Sequence, residues 1–188
     1  MNSLLVTYIL QTEKWTSPEL FETKNRIYTF LNPVSYLIAL ENKSLFEQFD
    51  GIFADGSLLV SAIRLVYGKR VTRRSFDMTS LAPELLNYLM ESRKTLYIVA
   101  SGQEQVECAV RIFQEQYPEL RIAGFRNGYF SSDAEMDMEA SHIVELNPDF
   151  LIVGMGALMQ EKFLLKVKRM GYQGIGFTCG GFIQIGRA

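Results

Sequence analysis

Apolar residues in this chain recur in two rhythms: short runs rich in β-branched and aromatic side chains, and longer stretches with apolar positions three and four apart. The first rhythm marks buried strands, the second helices with one apolar face. Runs at 26–31, 51–54, 95–100, 121–125, 150–153 and 174–178 read as strands. Stretches at 33–42, 57–67, 78–90, 103–116, 133–145 and 159–170 read as helices. Their alternation predicts βα units, hence an α/β, Rossmann-like fold with a mainly parallel sheet of about six strands flanked by helices. The punctuation agrees: Pro83 falls in the first turns of a helix, Pro118 follows one it cannot continue, and Asp133 is placed to cap another.

Composition narrows the class. The 188 residues suit a single core, so residues 1–188 are expected to form one domain. At 48% hydrophobic and 21% charged, with no low-complexity tract, the chain has the composition of a folded protein. Its 19 basic and 21 acidic residues leave a net charge of -2 and no overall positive field, so nucleic acid is not an expected partner. Cys108 and Cys179 lie in no zinc-like spacing and read as reduced core thiols. The leading MNSLLVTYILQTEKW lacks the basic start and small-residue cleavage site of a signal peptide. No stretch reaches the roughly 18 uninterrupted apolar residues of a spanning helix, so membrane contact is expected to be peripheral.

In an open parallel sheet, ligands bind beyond the carboxyl ends of the strands. Three such ends carry polar residues: Asn32-Pro33, Asp55-Gly56, and Gly154-Met155-Gly156 followed by Gln160-Glu161. All are expected on one rim. Asp55 reads either as a carboxylate lifted by partial desolvation into the range of a useful base, or as the cap of the helix at 57–67. Gly154-x-Gly156 either lets backbone N–H groups approach a phosphate or is a tight strand-to-helix turn; the third glycine of a dinucleotide fingerprint is missing. Gln160 and Glu161 read as site residues or as a solvated helix surface. Lys69, Arg70, Arg73 and Arg74 form a basic cluster, suited to a diphosphate through paired guanidinium forks, or a solvated turn. His142, the only histidine, falls mid-helix and reads as structural, which leaves no Ser-His-Asp triad and no metal cluster. Tyr129 follows a strand and is placed to border a pocket.

Several segments, taken in order, resemble the WecG/TagA/CpsF glycosyltransferases, also called glycosyltransferase family 26. They are Leu31-Asn32-Pro33; Ala54-Asp55-Gly56-Ser57; Arg73-Arg74-Ser75-Phe76-Asp77; Gln116-Tyr117-Pro118 leading to Gly128-Tyr129-Phe130; Asn147-Pro148-Asp149 before Val153-Gly154-Met155-Gly156; Gln160-Glu161; and Gly180-Gly181-Phe182. The resemblance runs from about Tyr28 to the end. It implies inverting transfer of a sugar (N-acetylmannosamine, its uronic acid, or glucose) from UDP to a polyprenyl-diphosphate-linked acceptor, in cell-surface polysaccharide or teichoic acid synthesis. It also implies a cytoplasmic enzyme, peripheral at the inner face of the membrane, with no essential metal and no cofactor beyond the UDP-sugar substrate.

By position, Asp55 matches the family's proposed base, and Asn32 and Gln160 match residues expected to contact the sugar or uridine diphosphate. Arg73 or Arg74 matches a basic position near the diphosphate, and Gly154, Gly156 and Thr29 complete the substrate-binding candidates. Two positions depart from the family pattern: Phe30 stands where a threonine is common, with Thr29 displaced by one, and Leu158 stands where a proline is common. Members continue past the Gly-Gly-Phe segment into a basic and apolar appendage that reaches the membrane. The ending Gly186-Arg187-Ala188 therefore reads as cut, with membrane contact through a missing segment, weak or no activity for these 188 residues alone, and apolar surface left for self-association. A non-catalytic nucleotide-binding module is the alternative, and a scaffold without nucleotide affinity is a third.

Overall fold

Strands β1 (Arg26–Leu31), β2 (Gly51–Ala54), β3 (Thr95–Ala100), β4 (Arg121–Arg126), β5 (Phe150–Gly154) and β6 (Ile175–Thr178) form one sheet in the order β2-β1-β6-β5-β3-β4. Every pairing is parallel. This is a computed structural model describing residues 4–185; the ending Gly186-Arg187-Ala188, and with it the reading of a cut terminus, lies outside the described residues. The strands run as expected, to within a residue at each end. Because β2 and β5 are buried along their whole length, their sequences are continuously apolar rather than alternating. The edge strand β4 alternates exposed and half-buried positions.

The helices are α1 (Leu4–Thr12), α2 (Ser17–Glu22), α3 (Pro33–Glu41), α4 (Lys43–Phe46), α5 (Ser57–Tyr67), α6 (Leu81–Ser92), α7 (Gln103–Gln116), α8 (Asp133–Leu146) and α9 (Met159–Arg169), followed by a 3-10 turn at Phe182–Ile185. One face of the sheet packs α2, α6 and α7 against Tyr28, Phe30, Ile98, Phe150 and Phe177. The other packs α3, α5, α8 and α9 against Ile27, Leu31, Ile52, Val99 and Leu151. Successive strand residues thus feed opposite layers and residues two apart the same one, as a pleated strand requires. Since all six strands point the same way, all their carboxyl ends meet on one rim. From the β1–β2 pair the chain crosses to β3 and winds the other way to β4, which opens a crevice over the middle of the sheet.

Several features depart from the sequence reading, which gave neither α2 nor α4. The apolar start forms α1, which buries Leu5, Val6 and Ile9 and covers the edge of β2, where the Thr12 hydroxyl donates to the Ile52 carbonyl at 3.0 Å. Helix α6 begins at Leu81 rather than 78, because the Asp77 side chain accepts from the Thr79 N–H at 2.8 Å and holds the preceding residues in a turn. The cap of α8 is Ser132, whose hydroxyl accepts from the Glu135 N–H, while Asp133 is the first helical residue and acts through its charge. Of the two thiols, Cys179 is buried but Cys108, on α7, is only partly so.

Candidate active site

Asp55 leaves β2 on the rim, its backbone N–H donating to the Leu31 carbonyl at 2.8 Å. It does not cap α5: that place belongs to Gly56, in the left-handed region at φ 85°, which offers no side-chain cap. The carboxyl is half-buried. Burial raises its pKa above the usual aspartate value, with repulsion from Asp77 adding to the rise and Arg73 and the Gly56 N–H opposing it. Arg73 Nη2 lies 3.8 Å from Asp55 Oδ1 and 2.8 Å from Asp77 Oδ2. Burial opposes ionisation of Asp77 as well, but bonds from Ser75 and Thr79, together with Arg73, bring its pKa down to about 2. Two neighbouring carboxyls are therefore pushed apart, one a fixed anion and the other the better proton acceptor.

Asn32 follows β1 and caps α3, its Oδ1 accepting from the Val34 and Ser35 N–H groups at 3.0 and 2.9 Å. Capping occupies the oxygen and leaves the amide nitrogen without a bond among the described residues. Gln160 comes in from α9, buried, with Nε2 donating to Glu161 Oε1 at 2.9 Å and Oε1 accepting from the Gly180 N–H at 3.1 Å. Asn32, Asp55, Asp77, Gln160, Gly180 and Phe182 line one cavity of about 200 Å3. Residues from β1, β2, α9 and the turn after β6 thus converge, as the strand-end argument anticipates.

Thr29 has a different place. It is fully buried beneath the cavity, its hydroxyl donating to Glu161 Oε1 and accepting from the Thr178 hydroxyl, both at 2.9 Å. A side chain so enclosed positions others rather than touching a ligand. Glu161, also fully buried, accepts the Leu158 N–H at 2.7 Å through its second oxygen, and burial raises its pKa. Glu161 and Gly180 stand in segments the sequence reading singled out, but Thr178 carries no signal by itself: the pairing of β1 with β6 brings its strand beside that of Thr29.

Arg74 separates from Arg73. Its guanidinium donates to the Trp15 carbonyl and lies 5.5 Å from the centre of the Phe53 ring, so it pins α2's approach to the sheet rather than facing the cavity. Lys69 and Arg70 are exposed. Gly154 and Gly156 line a second, larger cleft of about 640 Å3 with Ser101, Gly128, Tyr129 and Ser132. At Gly154 a Cβ would meet Cys179 Sγ at 2.6 Å and the Gly180 carbonyl oxygen at 2.8 Å, so this glycine is needed for close packing between strand ends. Gly156, at φ 83°, faces open space. The start of α9 is already occupied by Glu161, whereas α5 at Gly56 and α7 at Gly102 open without a side-chain cap. Among the described residues there is no group of three or more His, Cys, Asp or Glu placed to hold a metal, and no helix is long and apolar enough to cross a membrane.

The model of the Glycosyl transferase WecG/TagA/CpsF family matches residues 10–186. The chain is 33% identical, over 83% of its own length and 65% of the relative's, to a UDP-Gal:alpha-D-GlcNAc-diphosphoundecaprenol beta-1,4-galactosyltransferase of Shigella boydii. It is 23% identical, over 98% of its length and 70% of the relative's, to an N-acetylglucosaminyldiphosphoundecaprenol N-acetyl-beta-D-mannosaminyltransferase of Bacillus subtilis. A Staphylococcus aureus protein of the same name is 24% identical over 87% of the chain and 63% of the relative. The chain thus spans about two thirds of the length of these relatives.

Proposed function

Because the chain belongs to the WecG/TagA/CpsF glycosyltransferase family, we propose that it carries the core of an enzyme moving a hexose or N-acetylhexosamine from UDP onto an undecaprenyl-diphosphate-linked sugar. The observation that carries this reading is the convergence of Asp55, Asn32 and Gln160 on one cavity, with Arg73 beside it. The relatives' names point to galactose and N-acetylmannosamine as donors to try first and to an N-acetylglucosaminyl diphosphate lipid as acceptor; galactose widens the range implied by the resemblance alone.

In this reading Asp55, raised in pKa by burial, takes the proton of the acceptor hydroxyl as that oxygen attacks the donor's anomeric carbon. The bond from that carbon to the diphosphate breaks, and UDP leaves carrying the electron pair. The free amide of Asn32 and the second N–H of Gln160 are donors for sugar hydroxyls. Charge on the departing diphosphate is met by Arg73 and by the uncapped starts of α5 and α7. The cleft of about 640 Å3 alongside, with exposed Tyr129 on its wall, has room for the nucleoside. Both relatives' names print β-linked products, and UDP-hexoses carry the sugar in α linkage, which favours inversion by a single displacement.

The test is transfer from a panel of UDP-sugars to an N-acetylglucosaminyl diphosphate lipid, by this chain and by a version extended to the length of its relatives. Product from at least one UDP-sugar is expected. Absence of transfer from every donor in both versions, with no thermal shift by UDP, overturns the reading.

A further inference from the structure

Ser101 follows β3 and is held from both sides: its N–H donates to the Gly154 carbonyl at 2.9 Å, and its own carbonyl accepts from the Gly128 N–H at 2.8 Å. These two bonds join the ends of β3, β4 and β5 and hold Ser101 in the left-handed region, at φ 55°. A glycine takes that conformation freely, whereas the Cβ of a serine is crowded there, so this residue carries strain that a glycine would not. Its hydroxyl does nothing for the fold in return. Ser101 is only 7% exposed, yet its Oγ makes no hydrogen bond among the described residues. That oxygen is not sealed in either, since the wholly buried side-chain atom without a partner among the described residues is Arg74 Nη1. It opens on the cleft of about 640 Å3 that Ser101 lines.

The next residue, Gly102, stands at the cap of the 14-residue helix α7 and offers no side chain to its first N–H groups. The start of this helix is tied to the turn after β4 by Asn127, whose Nδ2 donates to Gln103 Oε1 at 3.0 Å while its Oδ1 accepts from the Tyr129 N–H at 2.9 Å. A buried hydroxyl without a protein partner, beside an uncapped helix start, matches the oxygens of a phosphate: the O–H donates, and the helix dipole favours negative charge. Glu104, in the first turn, is exposed and does not line the cleft, and Asp133, which does, belongs to α8. We infer that Ser101 is a binding residue, whose hydroxyl and the start of α7 together seat a phosphate of the nucleotide donor in the larger cleft. This rests on the transfer reading, in which that cleft takes the nucleoside. The strain gives the assignment a signature, because the side chain that best suits the backbone here is not the one that best suits the ligand.

The experiment compares S101A and S101G with the parent chain in urea unfolding and in titrations with UDP and with inorganic pyrophosphate. S101G is expected to raise the urea midpoint, because it relieves the left-handed strain, and S101A to leave the midpoint unchanged, because the hydroxyl has no internal bond to lose. Both variants are expected to bind UDP and pyrophosphate about tenfold more weakly, the scale of a lost hydrogen bond to a charged group. UDP bound equally by the parent and both variants overturns the inference and leaves the transfer reading standing. Weakened UDP with unchanged pyrophosphate also overturns it, assigning the hydroxyl to the nucleoside. An S101A protein less stable than the parent overturns it by giving the hydroxyl a role in the fold, and an S101G protein no more stable than the parent removes the strain on which it stands. Pyrophosphate bound by the parent and weakened in S101A, with no binding of UDP, supports the seat and counts against the transfer reading. A parent that binds neither anion overturns both.

Discussion

The hydroxyl of Thr29 donates to the carboxyl of Glu161 at 2.9 Å, tying the middle of β1 to the first turn of α9. Glu161 in turn holds the Gln160 amide, and Gln160 holds the Gly180 N–H, so one buried chain of bonds sets the floor and one wall of the cavity. Thr29→Val keeps the shape but leaves Glu161 short of a donor and the Thr178 hydroxyl without its acceptor. A loss of about 1–3 kcal/mol in urea unfolding is expected. Turnover is expected to fall as Gln160 loosens, and Thr29→Ser to restore both.

Glu161 has no cationic partner among the described residues, and burial favours its neutral form. A carboxyl whose folded pKa lies above its unfolded value binds more protons in the folded state. Its contribution to stability is therefore present below the ordinary glutamate range, near 4.3, and is lost as pH rises through the raised value. Glu161→Gln removes this slope, so the difference in unfolding free energy between the two proteins is expected to change with pH across that window. The amide also sets a donor against either Leu158 N–H or Thr29, so the variant is expected to be the less stable at the acid end.

Asp55 must be ionised to accept a proton, and its pKa is raised by burial. Transfer activity is expected to fall on the acid side at a higher pH than an ordinary aspartate would give. Arg73 is one of the influences holding that pKa down. Arg73→Gln is expected to move the acid limb of the kcat/KM profile to higher pH, and a limb that stays in place contradicts the pairing of these two groups.

The adjacent arginines are expected to separate cleanly. Arg73 makes half-exposed ion pairs worth little to folding, so Arg73→Gln lowers activity with a change in stability below about 1 kcal/mol. Arg74 is bonded to the Trp15 carbonyl and packed over Phe53, so Arg74→Gln lowers the melting temperature and weakens the attachment of α2. Paired thermal melts and initial rates check both.

The strands were legible because a parallel sheet buries both faces and leaves its sequence continuously apolar, as in Phe150–Gly154. Asp55, Asn32 and Gln160 could be read from their places after strands and at a helix start. The α2 helix was missed, although Thr16-Ser17-Pro18-Glu19 has the spacing of a capping box, its Thr16 N–H donating to Glu19 at 2.6 Å. The Thr29–Glu161–Thr178 network was not legible, since strand residues of adjacent layers meet only through the β1–β6 pairing, which local pattern does not fix. The split between Arg73 and Arg74 likewise depends on Trp15 and Phe53, both distant in sequence.

The claim on which the functional account turns is that Asp55 takes a proton during transfer. Its most direct measurement is the Asp55→Asn variant, assayed both for UDP affinity and for transfer to the lipid-linked acceptor. The account predicts UDP affinity within about threefold of the parent and a transfer rate reduced by at least 10²-fold, the scale typical of a lost general base. Because a neutral amide relieves a buried carboxylate, the variant is also expected to melt at or above the parent's temperature at neutral pH. Transfer at the parent's rate by a folded, UDP-binding Asp55→Asn protein would contradict the account.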